Sequence, residues 1–91
     1  MSLDTIQNYY ERRVVRQLQD RFSASRTNPD YLADLACVAL NHLPPRYIRH
    51  EVDMAFYLGP VERAEIEERI KKAIDFAVDF INKQDEERKK A

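Results

Sequence analysis

The sequence predicts an all-α or mainly α domain of three to four helices, with a Pro-Pro hinge and an irregular or short extended segment before the last helix. Two observations carry this. Three stretches repeat apolar residues at spacings of three and four, the stripe of a helix buried on one side. The stretches are separated by Asn28-Pro29, Pro44-Pro45 and Gly59-Pro60, pairs that end or restart a helix. At 91 residues the chain is one domain, spanning 1–91.

The first stripe is Leu3, Ile6, Tyr10, Val14, Leu18 and Phe22, with Ser2 or Asp4 as cap and Asp4 and Gln7 at the spacing of a capping box. Arg12 and Arg16 are four apart, so they share a face and repel unless an anion or carboxylate lies between them. The helix frays through residues 23–27. Asn28 then caps a second helix with Pro29 in its first turn, running from about Asp30 to His42. Leu32, Leu35, Ala36, Ala39, Leu40 and Leu43 form its buried side, and Cys37 and Val38 widen the apolar arc. Pro44 and Pro45 stop it, because proline lacks the amide donor and pushes the residue before it to extended geometry.

Between Tyr47 and Leu58, Val52, Met54, Phe56 and Leu58 alternate with Asp53, Ala55 and Tyr57. One such strand lacks a partner in this chain, so the segment either pairs across a dimer or is irregular with short helical turns; the second is the expectation. After Gly59-Pro60, Ile66, Ile70, Ile74, Ala77, Val78 and Ile81 mark the last helix. Glu67–Lys71 and Glu68–Lys72 are spaced as intrahelical pairs. Phe76 and Phe80 fall off the isoleucine line and suggest a partner subunit. From Asp85 the sequence reads as a solvated, fraying tail.

Such a chain buries only about 60–65% of its unfolded surface. With Cys37 its only cysteine, no disulfide staples it. A homodimer is therefore expected. No apolar run is long enough to insert in a membrane, the N-terminus lacks the order of a signal peptide, and a single cysteine suits the cytoplasm. Residues 1–50 carry seven Arg against five acids, and residues 51–91 eight Lys or Arg against eleven acids. That balance allows a local anion site but disfavours direct DNA contact.

The inventory excludes most site chemistry. Two histidines and one cysteine show no metal-ligand spacing, so no metal is expected. A single glycine rules out a phosphate-cradling glycine loop. No pairing of nucleophile and base marks a catalytic residue, and no cofactor is implied. What remains is the hinge, ALNHLPPRYIRH. Two prolines restrict the backbone that carries Arg46, Tyr47, Arg49 and His50. Arginine forks clamp phosphates and a tyrosine ring stacks on a base. Alternatively, Tyr47 and Ile48 pack on the helices while the arginines pair with Glu51 or Asp53.

The run DYLADLACVALNHLPPRYIRHEVDMAFY resembles the late competence development protein family, ComFB. Asp34, Ala36, Ala39, Leu40, Asn41, Leu43, Pro44, Pro45, Arg46 and Tyr47 carry the likeness, with NYYE at Asn8 to Glu11 and the helix after Gly59-Pro60. The resemblance implies a small, mainly helical, cytoplasmic bacterial protein that dimerises and is not an enzyme. It also implies that some members are receptors for cyclic dinucleotides, above all cyclic di-GMP, acting in motility, pili and competence. The cysteines that suit zinc in one branch are missing from FSASRTNPDYLA. The expected ligand site is Arg46, Tyr47, Arg49 and His50, with Arg12, Arg16, Tyr57 and Asn41 as further contacts and a downstream regulatory protein as listener. The alternative is a ligand-free protein–protein interaction module.

Overall fold

The computed structural model describes residues 6–22, 28–49 and 58–90. Its elements are β1 (Gln7–Asn8), α1 (Tyr9–Phe22), α2 (Pro29–His42), β2 (Tyr47–Ile48) and α3 (Pro60–Lys90). The chain is thus mainly helical, as its periodicity predicts. Residues 51–57, including the alternating Val52-to-Tyr57 stretch, lie outside the described residues.

The helices run alternately. Phe22 meets Tyr31 edge to face where α1 ends and α2 begins. The Tyr31 hydroxyl donates to Asn82 near the end of α3, while His42 at the end of α2 stacks on Phe76. Arg13 faces Glu67 and Arg21 faces Asp75 in the same order along α1 and α3. So α2 is antiparallel to both α1 and α3, which are parallel to each other. Between the three lies one core of Tyr9, Tyr10, Val14, Leu18, Leu35, Ala39, Leu43, Leu58 and the inner stripe of α3 from Ile66 to Ile81. Ile70, Ile74 and Ala77 are fully buried in this core, where each of the three helices contacts the other two. Its 31 residues extend for roughly 46 Å at 1.5 Å per residue, so its end overhangs the shorter helices.

Four expectations change. The first helix begins at Tyr9, well after Ser2 and Asp4, which lie outside the described residues. Asn8 is the cap instead: its side-chain oxygen accepts from the amide of Tyr10 at 3.1 Å. Gln7 and Asn8 are drawn into a strand, leaving Ile6 52% exposed rather than in the stripe. Second, Tyr47–Ile48, for which the sequence suggests no strand pairing within the chain, pairs antiparallel with Gln7–Asn8, while the alternation from Val52 lies outside the described residues up to Leu58. Third, Cys37 is exposed, since Leu35 and Ala39 take the two inner positions around it. Fourth, the DEERKK tail remains helical through Lys90. The caps of α2 agree with the sequence: Asn28 accepts from the amide of Asp30 at 2.9 Å and Pro29 opens the first turn.

Candidate functional site

The site grows out of the hinge. Leu43 precedes a proline and adopts the extended backbone this demands, with φ −97° and ψ 141°. Its side chain is buried, which anchors the hinge to the core. Two prolines then supply no donors, so Arg46 is the first residue that can be stitched to neighbouring backbone. Both of its main-chain groups are used. Its amide donates to the Asn8 side-chain oxygen at 3.4 Å, and its carbonyl accepts from the amide of Tyr9 at 2.6 Å. Asn8 therefore closes the start of α1 and holds the exit of the hinge at once.

The ribbon that follows has a defined register, Gln7 opposite Ile48 and Asn8 opposite Tyr47. Neighbouring residues of a strand point to opposite faces. Ile48 takes the inner face and packs against the core. Tyr47 takes the outer face and is 68% exposed, with exposed Arg46 and Arg49 on either side of the pair. The packing alternative therefore holds for Ile48 and fails for Tyr47. An exposed aromatic ring, with an exposed arginine one position before it and another two positions after it in the chain, is presented to solvent on a backbone held by the two main-chain bonds of Arg46 and by two prolines. Such a surface can stack on a flat ring and pair with an anion.

The other expected contacts are distributed differently. His50 and Tyr57 lie outside the described residues. Arg12 and Arg16 occupy the outer face of α1, about one and two turns in from Tyr9 at 1.5 Å rise per residue. Asn41 belongs to another surface: with Val38, His42, Phe76 and Phe80 it lines a shallow depression between α2 and α3. There the His42 and Phe76 rings stack at 4.1 Å and nearly parallel, and Phe80 follows at 5.9 Å.

Sequence reasoning missed a polar seam between α1 and α3. Gln17 donates to a Glu67 carboxylate oxygen at 2.8 Å, and Arg21 to Asp75 at 2.8 Å. Glu67 thus faces α1, where the spacing had offered Lys71. A signal was present, since Arg13, Gln17 and Arg21 recur every four residues beside the apolar stripe of α1, and Glu67 and Asp75 are eight apart in α3.

Among the described residues no three His, Cys, Asp or Glu side chains gather as a metal site would require, and no helix is long and apolar enough to cross a membrane. Residues 7–85 match the model of the family described as Late competence development protein ComFB. The chain belongs to the ComFB family. The match opens on β1 and closes near the end of α3, so it takes in the whole ribbon and hinge of this ComFB domain. No curated protein matches the chain.

Proposed function

We propose that this ComFB domain is a non-enzymatic receptor for a cyclic dinucleotide, cyclic di-GMP before others, at the ribbon formed by Arg46, Tyr47 and Arg49. The observation that supports it best is Tyr47, a large ring left 68% exposed on a backbone that is otherwise tightly fixed. Its exposure has no packing rationale, and the two flanking guanidinium groups suit phosphates or guanine edges. Cyclic di-GMP is two-fold symmetric, and a homodimer would present the same three residues twice. The protein would act in the cytoplasm, and ligand binding would be read by a downstream regulatory protein in competence, pili or motility.

Isothermal titration with cyclic di-GMP, with cyclic di-AMP as control, tests the reading. Micromolar or tighter binding near one ligand per dimer is expected. The double variant Arg46→Ala, Arg49→Ala should lose that heat while keeping the helical circular dichroism of the wild type. Absence of heat and of a melting shift with either nucleotide refutes the receptor.

One observation favours the second reading, an interaction module without small ligand. Phe76 and Phe80 remain 42% and 41% exposed beside His42 on the α2–α3 surface. Pull-down partners lost on Phe76→Ser but retained on Arg46→Ala would support that module.

A further inference from the structure

We propose that the cleft between the N-terminal halves of α1 and α3 binds an oxyanion, a phosphate or a carboxylate carried on one small ring, with Arg13 as its principal ligand. The cleft encloses about 300 Å³ and is lined by Tyr9, Arg13, Leu58, Arg63, Ile66 and Glu67. None of Arg46, Tyr47 and Arg49 lines it, so the inference stands apart from the receptor reading.

Three features point to an anion. The first is charge: two guanidinium groups border the cleft against one carboxylate. The second is the commitment of that carboxylate. One Glu67 oxygen already accepts from Gln17 at 2.8 Å, and the other lies 3.7 Å from Arg13 Nη1, beyond hydrogen-bond range. The third is the state of Arg13 itself. Its guanidinium lies 4.4 Å above the ring centre of buried Tyr9, a cation–π contact that holds it in place. Its Nε is buried and finds no hydrogen-bond partner among the described residues. A guanidinium with a long ion pair and an orphaned donor is improved by an acceptor that engages two of its N–H groups. The Nε–Nη2 edge of a guanidinium offers two parallel donors, and a planar or tetrahedral oxyanion that reaches it accepts through two oxygens.

Size narrows the ligand. Ligand pockets span about 300–1,000 Å³, and this cleft is at the lower limit. It admits one charged group and one ring, which Leu58 and Ile66 would face, and is too small for a whole dinucleotide. Arg63 contributes positive field from the first turns of α3, though it has another interaction in the structure and the inference does not depend on its being free.

The test is an NMR titration of the full chain with inorganic phosphate, ribose 5-phosphate and benzoate, following the arginine Nε–H signals and backbone amides. The Arg13 Nε–H signal and the amides of Ile66 and Glu67 should shift saturably with at least one ring-bearing anion. Ribose 5-phosphate against benzoate separates a phosphate from a carboxylate site. Arg13→Lys keeps the charge but loses the fork, and should weaken binding about tenfold. Lys83→Ala, on the exposed end of α3, should bind as the wild type does. Glu67→Gln removes the competing carboxylate and should tighten binding, which keeps the idea testable if Arg13→Lys fails to fold. No saturable shift with any of the three probes overturns the proposal. So does undiminished binding by folded Arg13→Lys, or unchanged or weaker binding by Glu67→Gln.

Discussion

Replacing Asn8 by alanine should lower the melting temperature by about 4–10 °C, and the size follows from what its side chain does. One oxygen accepts from the amide of Tyr10 at 3.1 Å and from the amide of Arg46 at 3.4 Å. Loss of a helix N-cap costs about 1 kcal/mol. The Arg46 bond is long and exposed and adds a few tenths at most, for a total of about 1–1.3 kcal/mol. In a domain of this size each kcal/mol shifts the midpoint by about 4–8 °C. Total stability for a chain this long is about 5–14 kcal/mol, so the variant still folds. Asn8→Asp keeps the acceptor and puts a negative charge at the positive end of α1, so it should melt within about 2 °C of the wild type. Thermal unfolding followed by far-ultraviolet circular dichroism reads both. Coincident melts for Asn8→Ala and the wild type, or an equal fall for Asn8→Asp, would refute the assignment of Asn8 as cap.

Two other changes probe the packing. Ile70 is wholly buried in the core between the helices, so Ile70→Ala should cost about 2–5 kcal/mol, a large share of the total; a melt within a few degrees of the wild type would contradict that placement. Arg21 and Asp75 form a close pair that is nonetheless partly exposed, and Arg21→Ala should cost no more than about 1 kcal/mol, a difference that shrinks in high salt. A salt-independent loss would mean that Arg21 contributes through packing of its stem.

The helices were readable because burial against a single core imposes a period on the sequence. Ile66, Ile70, Ile74, Ala77 and Ile81 are buried as that period requires, and so are Tyr10, Val14 and Leu18. The start of α1 was not readable. Leu3 and Ile6 continue the stripe in phase, so periodicity extends the helix toward the N-terminus. What stops it is a contact between residues nearly forty positions apart, Asn8 with Arg46. Local patterning carries no trace of such pairing, and two-residue strands are too short to show alternation. The same limit governs the site. The hinge was legible from its prolines, whereas the Arg13 cleft depends on which face of α1 meets α3. Cys37 shows the opposite error: an apolar neighbourhood in sequence suggested burial, but the arc of α2 covered by α1 and α3 is narrower than its composition allows.

The proposed site takes its shape from the hinge beside it. A ribbon of two residues per strand has almost no stability of its own. Its geometry is borrowed from Pro44 and Pro45 on one side and from the capped start of α1 on the other. The outward pose of Tyr47 is therefore coupled to Asn8, directly opposite it in the ribbon. A ligand that stacks on Tyr47 gains only when that pose is populated, and affinity falls with the populated fraction. Removing about 1 kcal/mol of ordering from the ribbon should weaken binding by up to about fivefold, even though alanine at position 8 leaves every proposed ligand contact in place. Cyclic di-GMP titration of Asn8→Ala, at a temperature where the variant is fully folded, measures this directly. Equal affinity for variant and wild type would mean that the ribbon holds its shape without Asn8, and that the hinge alone aims the ring.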